Sequence, residues 1–308
     1  MAFTAKDVQL LREKTGVGMM DCKKALVETD GDIDKAIDVL REKGLASAAK
    51  KASRVAAEGV VAAYSDGKAG ALVEINCETD FVAKGEKFVG LASQIVKTVV
   101  EKDPADLDAL LKLTVSDGNE TVEEAVQEVF LALRENMKVR RFVRAAAPVA
   151  TYIHMGGTVG VLVEFDTDDA TAAKPEFEAM GKNVAMQVAA MSPSYLDEAS
   201  VPAEVLDKEK EILVAQMKED PKMASKPEAV LQKIVDGKIG KYYTENCLMN
   251  QDFVRSDLFD GSVAGYVAKV AKDLGAGIKV KGFTRFAKGE GIEKKTENFA
   301  EEIANMVK

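Results

Sequence analysis

Few residues in this sequence could do chemistry. One histidine, His154, and three widely separated cysteines, Cys22, Cys77 and Cys247, are the candidates for a nucleophile, a base or a metal ligand. A zinc site needs several closely placed ligands, and the chain has no CxxC pair. A lone histidine is most often a surface residue or a satisfied core residue. The residues therefore predict no enzyme and no bound metal or cofactor.

The segments that most resemble nucleotide-binding or calcium-binding loops lack the residue spacing that such loops require. The segment "GKIGKYY" lacks the spacing of a phosphate-binding loop, and "GAGIKVKG" precedes a predicted strand where a dinucleotide fingerprint follows one. The acidic run that starts at Asp166 has Thr171 where a calcium loop needs glycine, and Phe177 where it needs glutamate. The sequence is thus more typical of a binding protein than of a catalyst.

Length and charge restrict the class of protein further. The chain has 308 residues, and single cores tend to split above roughly 250 residues, so we expect more than one domain. No stretch approaches the roughly 18 apolar residues of a membrane span, and the first residues, "MAFTAK", lack the apolar core of a signal peptide. We therefore expect a cytoplasmic protein with reduced thiols and no membrane partner. The net charge of -9 disfavours direct binding of nucleic acid.

Residues 1–54 predict a small helical domain. Thr4 and Asp7 can cap a first helix that breaks at "TGVG", and "TDGD" starts a third helix that ends near Gly44. Three short helices with tight turns resemble a ubiquitin-associated bundle, which suits binding. Residues 45–59 predict a helical linker. The positions predicted to face inward are Val8, Leu10, Leu11, Cys22, Ala25, Leu26, Ile33, Ala36, Ile37 and Leu40.

An internal repeat follows this domain. The segment "VAAYSDGKAGALVEINCETD", residues 61–80, returns as "VATYIHMGGTVGVLVEFDTDDA", residues 149–170. Tyr64 matches Tyr152, and after a two-residue insertion "GALVE" matches "GVLVE". Each copy predicts a β-hairpin followed by a helix. The apolar positions of the two helices are Phe88, Leu91, Ala92 and Ile95 in the first copy, and Phe177, Met180, Gly181 and Val184 in the second.

The predicted fold class is therefore α+β, with a core of two repeated hairpin and helix subdomains. The first core subdomain spans residues 55–145, and the second begins with residues 146–195. Residues 196–250 predict a protruding antiparallel helical hairpin, and residues 251–308 predict a C-terminal module that completes the second subdomain. The hairpin's predicted apolar stripes are Val205, Ile212, Leu213, Val230 and Ile234, and the last helix carries Phe299 and Ile303.

The junction "NCETDFVAK" joins a predicted strand to a predicted helix. In a purely structural interpretation, Thr79 caps the helix, Asp80 complements its dipole and Phe81 anchors it in the core. At the matching places of the second copy stand Ala170 and Thr171, so the scaffold does not require the acid or the aromatic. This comparison favours an exposed contact with another protein.

The hairpin tips of the two copies differ as well. The first tip has the ordinary turn residues "SDG", whereas the second carries His154 and Met155 before two glycines. A histidine and a methionine are unusual where a turn former suffices. Each copy therefore carries one feature that the other lacks, which indicates an asymmetric protein-binding surface.

Five segments give the chain a close resemblance to the bacterial elongation factor Ts family, the guanine-nucleotide exchange factors of translation elongation factor Tu. They are "LREKTGVGMMDCKKAL", "GDIDKAI", "NCETDFVAK", "GVLVE" and "FTRFAKGEGIEKKTENFAEEIA". The resemblance covers essentially the whole length. It implies a chain that binds the GDP form of Tu, promotes release of GDP and Mg²⁺, and stabilises nucleotide-free Tu until GTP binds. It implies no bond chemistry, and it leaves open a homodimer or a 2:2 complex with Tu.

The resemblance also assigns contacts with Tu to particular residues. Similar proteins have "GEN" where this chain has Arg134, Glu135 and Asn136, and they are commonly apolar at the position of Arg255. The contacts implied are Arg12, Met19, Met20 and Lys23 in the N-terminal domain, Thr79, Asp80, Phe81, Val82 and His154 in the core, and Val254 and Arg255 in the C-terminal module. An alternative function is an adaptor without exchange activity, whose ubiquitin-associated-like bundle tethers partners.

Overall fold

The structure, a computed structural model, describes residues 3–219 and 226–293 and contains both helices and antiparallel sheets, as predicted. The helices are α1 Ala5–Thr15, α2 Met19–Glu28, α3 Ile33–Lys51, α4 Asp80–Ala83, α5 Glu86–Lys102, α6 Leu107–Lys112, α7 Val122–Leu133, α8 Asp169–Ala172, α9 Pro175–Met191, α10 Ala203–Glu219, α11 Glu228–Asn246 and α12 Val263–Leu274. The strands are β1 Glu58–Ser65, β2 Ala69–Cys77, β3 Met137–Ala146, β4 Val149–His154, β5 Val159–Asp166 and β6 Lys279–Ala287.

Helices α1 to α3 pack around one apolar cluster that includes Leu11 and Leu26. Thr4 and Asp7 form the predicted capping box at the start of α1. Leu10 was predicted to face inward, but it is exposed, because Val8 and Leu11 already supply the buried face of this short helix.

Helix α3 does not end at Gly44 as predicted, but continues to Lys51. A Cβ atom at Gly44 would lie 2.0 Å from Leu131 Cδ2 of α7, so this glycine permits close packing of two helices. The predicted helical linker is thus divided. Its first part extends α3, and β1 begins at Glu58.

The repeat forms two similar three-stranded sheets, in the orders β1-β2-β3 and β4-β5-β6. Tyr64 pairs with Ala71 in the first sheet and Tyr152 pairs with Val161 in the second, which confirms the alignment of the hairpins. Helices α5 and α9 bury the predicted apolar faces against their own sheets. The third strand of each sheet, β3 or β6, comes from outside the repeat.

The two sheets face each other across a small apolar layer to which Leu72 and Leu162 belong. The two sheets approach each other closely at two glycines that occupy matching positions in the repeat. A Cβ atom at Gly70 would lie 2.6 Å from Val149 Cγ2, and one at Gly160 would lie 2.4 Å from Val61 Cγ1. Strand β2 is buried along its whole length, because α5 covers one face and the second sheet the other.

A buried carboxylate also links the two sheets. Glu74 Oε1 accepts hydrogen bonds from Gly289 N at 2.7 Å, Arg140 Nη1 at 3.0 Å and Asn76 Nδ2 at 3.1 Å, and Oε2 accepts one from Arg141 Nε at 2.6 Å. Burial alone would raise the pKa of Glu74, but these hydrogen bonds lower the pKa below its usual value of 4.5. We call this group the Glu74 clasp. It fastens the turn after β6 to the first sheet.

Helices α10 and α11 pack on each other through a separate cluster of Leu213, Met217, Val235 and Ile239. Of the predicted stripe residues, Leu213 is buried in this cluster and Ile234 packs against it, as predicted. Ile212 and Val230 are exposed instead. The predicted last helix, with Phe299 and Ile303, lies outside the described residues.

Candidate functional site

The strand-to-helix junction carries the most exposed aromatic side chain of the described residues. Thr79 is the N-cap of α4, and its Oγ1 accepts a hydrogen bond from Val82 N at 3.4 Å. Ala83 is buried and holds the short helix against the core, whereas Phe81 is 86% exposed. The structural interpretation was therefore right about the cap and wrong about Phe81 as a core anchor. A side chain this apolar gains free energy only when another molecule covers it.

Asp80 is held within the same helix. Its Oδ2 accepts a hydrogen bond from Lys84 Nζ at 2.6 Å, and this bond lowers the pKa of Asp80 and raises that of Lys84. Sequence reasoning did not single out Lys84, although the spacing of four residues between acid and base was the available signal. Asp80 is thus an ionised partner of Lys84 on the exposed side of α4.

The second copy has an equivalent of α4, which is α8 with the N-cap Asp168. When the two N-caps are superimposed, Asp80 corresponds to Asp169 and Phe81 to Ala170. The sequence comparison was one residue out, because the N-cap follows the matched glutamate by five residues in the first copy and by four in the second. The acid is therefore present in both copies. Of these two side chains, only the aromatic one differs between the copies.

A carboxylate from outside the repeat contacts the N-cap of α4. Thr79 N donates to Glu135 Oε2 at 2.9 Å, and Thr79 Oγ1 donates to Glu135 Oε1 at 2.6 Å. Next to this contact, Asn136 N donates to Glu78 Oε1 at 2.6 Å. No local pattern indicates these contacts, because more than fifty residues separate the partners.

The second feature is the tip of the β4-β5 hairpin. His154 is exposed, and its Nδ1 lies 3.1 Å from the Tyr152 hydroxyl oxygen. Met155 is 76% exposed and has a φ of 46°, in the left-handed region, followed by Gly156 and Gly157 with positive φ. The tip therefore presents an imidazole and a thioether to solvent on a tightly turned backbone.

The hairpin tip and α4 both contact strand β1. Val61 N donates to Gly157 O at 2.8 Å, which fixes the tip to β1. Glu58, three residues earlier and about 10 Å along the strand, pairs with Lys288, whose N–H donates to Thr158 O at 2.9 Å. In the sheet, Glu58 lies opposite Cys77, two residues before Thr79. The two exposed features thus flank one strand.

The predicted contact residues of the N-terminal domain, Arg12, Met19, Met20 and Lys23, are all exposed. Arg12 and Met19 line one surface depression together with Lys87 of α5. Two adjacent exposed methionines are an adaptable apolar surface, since the thioether side chain is flexible and polarisable. The depression therefore lies between the N-terminal domain and α5 of the first core subdomain.

The predicted C-terminal contacts lie in a loop that the core holds from beneath. Val254 is 44% exposed, and its N–H donates to the buried side chain of Gln187 at 2.9 Å. Arg255 is half-buried and paired with Asp257 through two hydrogen bonds of 2.7 and 2.8 Å. Val254 is therefore presented on a fixed backbone, while the charge of Arg255 already has a partner.

Comparison with known proteins identifies the family. A model described as "Elongation factor TS" matches residues 78–290. Elongation factor Ts of Clostridium perfringens is 49% identical over 309 residues, covering 99% of each chain. The corresponding protein of Clostridium botulinum is 47% identical over 310 residues, covering 99% of each, and that of Trichlorobacter lovleyi is 45% identical over 311 residues, covering 99% of this chain and 98% of its own.

This chain belongs to the elongation factor Ts family. Membership makes it an elongation factor of protein biosynthesis. The structure explains how this family member accommodates Arg134, at a position where the resemblance leads us to expect glycine. Arg134 has a φ of 61°, a conformation that favours glycine. Its guanidinium compensates with an ion pair to Asp21 of α2 at 3.0 Å.

The thiols of this elongation factor Ts family member are buried. Burial raises the pKa of Cys22, Cys77 and Cys247, that of Cys77 to about 12. Among the described residues, no group of three or more histidine, cysteine, aspartate or glutamate side chains could hold a metal ion. Within the same ranges, every helix is too short or too polar to cross a membrane.

Proposed function

We propose that this chain is a guanine-nucleotide exchange factor for elongation factor Tu, which acts by binding and makes or breaks no covalent bond. It binds the GDP form of Tu, promotes release of GDP and Mg²⁺, and stabilises nucleotide-free Tu until GTP binds. The observation that carries the proposal is Phe81, an aromatic side chain that is 86% exposed on a helix capped and anchored to a rigid core.

Linkage explains why such a surface suffices for exchange. A factor that binds nucleotide-free Tu more tightly than Tu with GDP must weaken GDP binding by the same ratio. Its contacts therefore need to fit the conformation that Tu adopts without nucleotide. No cofactor of its own is required.

In the proposed mechanism, Phe81 enters an apolar crevice of Tu and displaces the element that positions Mg²⁺. Asp80, fixed by Lys84, and the cap at Thr79 give α4 one orientation, with Val82 on the same turn. His154 reaches the phosphate-binding side from the other flank of β1. The phosphates of GDP then lose both their cation and the geometry of their binding loop.

The free energy of burying Phe81 indicates which contacts supply affinity and which promote exchange. Burial of one phenylalanine is worth about 1.5–3 kcal/mol, which corresponds to between one and two powers of ten in an equilibrium constant. One such wedge cannot hold two proteins together. We assign most of the affinity to the ubiquitin-associated-like bundle, through Arg12, Met19, Met20 and Lys23, and to the C-terminal module through Val254 and Arg255.

The test is the release of a fluorescent GDP analogue from Tu, followed by stopped flow with wild-type chain and with Phe81→Ala. We expect Phe81→Ala to slow release about tenfold to a hundredfold at saturation. Its affinity for Tu with GDP bound, in which the wedge is not yet inserted, should fall far less. Ile212→Ala is the matched control, because it removes an exposed apolar side chain from α10. Release by Phe81→Ala at the wild-type rate would contradict the wedge.

The same measurement distinguishes an exchange factor from an adaptor. An adaptor that tethers partners through the exposed methionines of the bundle binds Tu without accelerating release. If the wild-type chain binds Tu and leaves the release rate of GDP unchanged, the exchange function is wrong and the adaptor function replaces it.

A further inference from the structure

Residues 134–136, which follow α7, connect the N-terminal bundle to the junction that carries Phe81. Arg134 Nη2 donates to Asp21 Oδ2 of α2 at 3.0 Å, and Lys51 Nζ of α3 donates to the carbonyl oxygen of Arg134. The next residue, Glu135, holds the N-cap of α4. Two helices of the bundle therefore fix the backbone immediately before the Glu135 carboxylate.

Both oxygens of that carboxylate are used by one residue. Glu135 accepts hydrogen bonds from the backbone N–H and the hydroxyl of Thr79, at 2.9 and 2.6 Å. Helix α4 has only four residues, and so short a helix has no stability of its own in water. The direction of Phe81 therefore depends on what holds the cap.

The second copy of the repeat shows that this external carboxylate is not needed to build such a helix. There the N-cap Asp168 accepts hydrogen bonds from N and Oγ1 of Thr171, at 2.9 and 2.8 Å, within its own turn. That copy presents Ala170 where the first presents Phe81. The copy with the aromatic side chain is the one whose cap is held from outside the repeat.

We propose that Glu135 is a positioning residue that orients Phe81 through Thr79, and that Asp21 and Lys51 of the bundle hold Glu135 in place. The orientation follows from the structure of the chain alone, whereas its consequence for exchange rests on the proposed function. Docking of the bundle and presentation of Phe81 are then parts of one connected unit.

The first test needs no partner. Amide hydrogen exchange of Val82, Ala83, Lys84 and Gly85 is measured in the full chain as wild type, Glu135→Gln and Glu135→Ala. These amides bond within the cap and α4. We expect Glu135→Ala to accelerate their exchange at least about tenfold, because two hydrogen bonds to a charged acceptor are lost, and Glu135→Gln to have a smaller effect. Unchanged exchange in Glu135→Ala would overturn the proposal.

The matched control is Glu211→Ala, which removes an exposed carboxylate from α10. We expect it to leave the α4 amides at wild-type exchange rates. If the control accelerates them equally, the effect is a general loss of stability and the positioning role is wrong.

The second test asks whether Glu135 acts through Phe81. Nucleotide release from Tu at saturation is compared for Glu135→Ala, Phe81→Ala and the double variant. We expect Glu135→Ala to slow release several-fold in the wild-type background and to have no further effect in the Phe81→Ala background. Independent, multiplying effects would show that Glu135 does not work through Phe81.

The contribution of the bundle is tested with Arg134→Gly, which keeps the left-handed backbone and removes the bond to Asp21. We expect faster exchange of the α4 amides than in wild type but slower than in Glu135→Ala. No acceleration would remove the bundle from the proposal. If the wild-type chain did not accelerate nucleotide release, the proposed function would fail, while the hydrogen-exchange results would still decide the role of Glu135.

Discussion

Replacing Glu74 with Gln tests how much the Glu74 clasp contributes to the stability of the core. Glutamine keeps the shape of the side chain but removes its charge and turns one acceptor oxygen into a donor that faces the Arg141 guanidinium. Glu74 is fully buried, and removal of one partner from a buried ion pair costs about 3–5 kcal/mol. The side chains of Arg140 and Arg141 are 26% and 32% exposed, so water relieves part of this penalty. We expect a loss of about 3 kcal/mol in the free energy of unfolding.

The repeat supplies a matched control. Glu164 holds the same register position in the second sheet, but it is half-buried and makes no side-chain hydrogen bond within the described part of the chain. A loss of about 3 kcal/mol corresponds to a fall of about 5 °C in Tm for 308 residues that unfold as one unit, because the entropy of unfolding is about 2.1 cal/mol/K per residue. We expect Glu164→Gln to change Tm by less than about 2 °C. Equal shifts in the two variants, measured by calorimetry, would refute the reasoning.

The pH dependence of the same variant provides a second check. Because the pKa of Glu74 is lowered in the folded state, its stabilisation is complete above the usual glutamate value of 4.5 and is lost as the pH falls through the depressed pKa. The difference in unfolding free energy between wild type and Glu74→Gln should therefore be constant near neutral pH and shrink below about pH 4.5. A difference that stays constant down to pH 3 would mean that the charge of Glu74 is not the cause.

Two further predictions concern the thiols and the bundle. The native chain should react slowly with a thiol-specific disulfide reagent at pH 8, because its cysteines are buried and the pKa of Cys77 is raised to about 12. In denaturant, all three cysteines should react at once. Rapid labelling of the native chain would contradict the burial. A double variant in which Met19 and Met20 are both changed to Ser should bind nucleotide-free Tu about tenfold or more weakly, measured by titration, while the rate of GDP release at saturation stays near wild type. A fall in the saturated rate with unchanged affinity would show that the bundle promotes release and does not supply affinity.

Local signals predicted much of the architecture. The capping box at Thr4, the hairpins around Tyr64 and Tyr152, and the buried faces of α5 and α9 depend on residues close together in sequence, and all were confirmed. Gly44 misled the prediction because a glycine that ends a helix and one that lets Leu131 approach look the same without the neighbouring helix.

Contacts between segments that are distant in the sequence could not be predicted at the site. The exposure of Phe81 depends on what surrounds α4, and local pattern alone favoured a core position. The hydrogen bonds to Glu74 and Glu135 join segments that no periodicity connects, so only the folded chain reveals them. The roles of the predicted contact residues with Tu stay predictions that the proposed variants test.

Strand β1 sets a fixed spacing between Phe81 and His154, because Val61 holds one hairpin tip by its backbone and Glu58 holds Lys288 beside it. Two contact groups at a fixed spacing can discriminate between different conformations of a binding partner. A partner that offers two matching surfaces at that separation in only one of its conformations can engage both groups only in that conformation. The geometry of this chain then acts as a template, and the partner makes the movement.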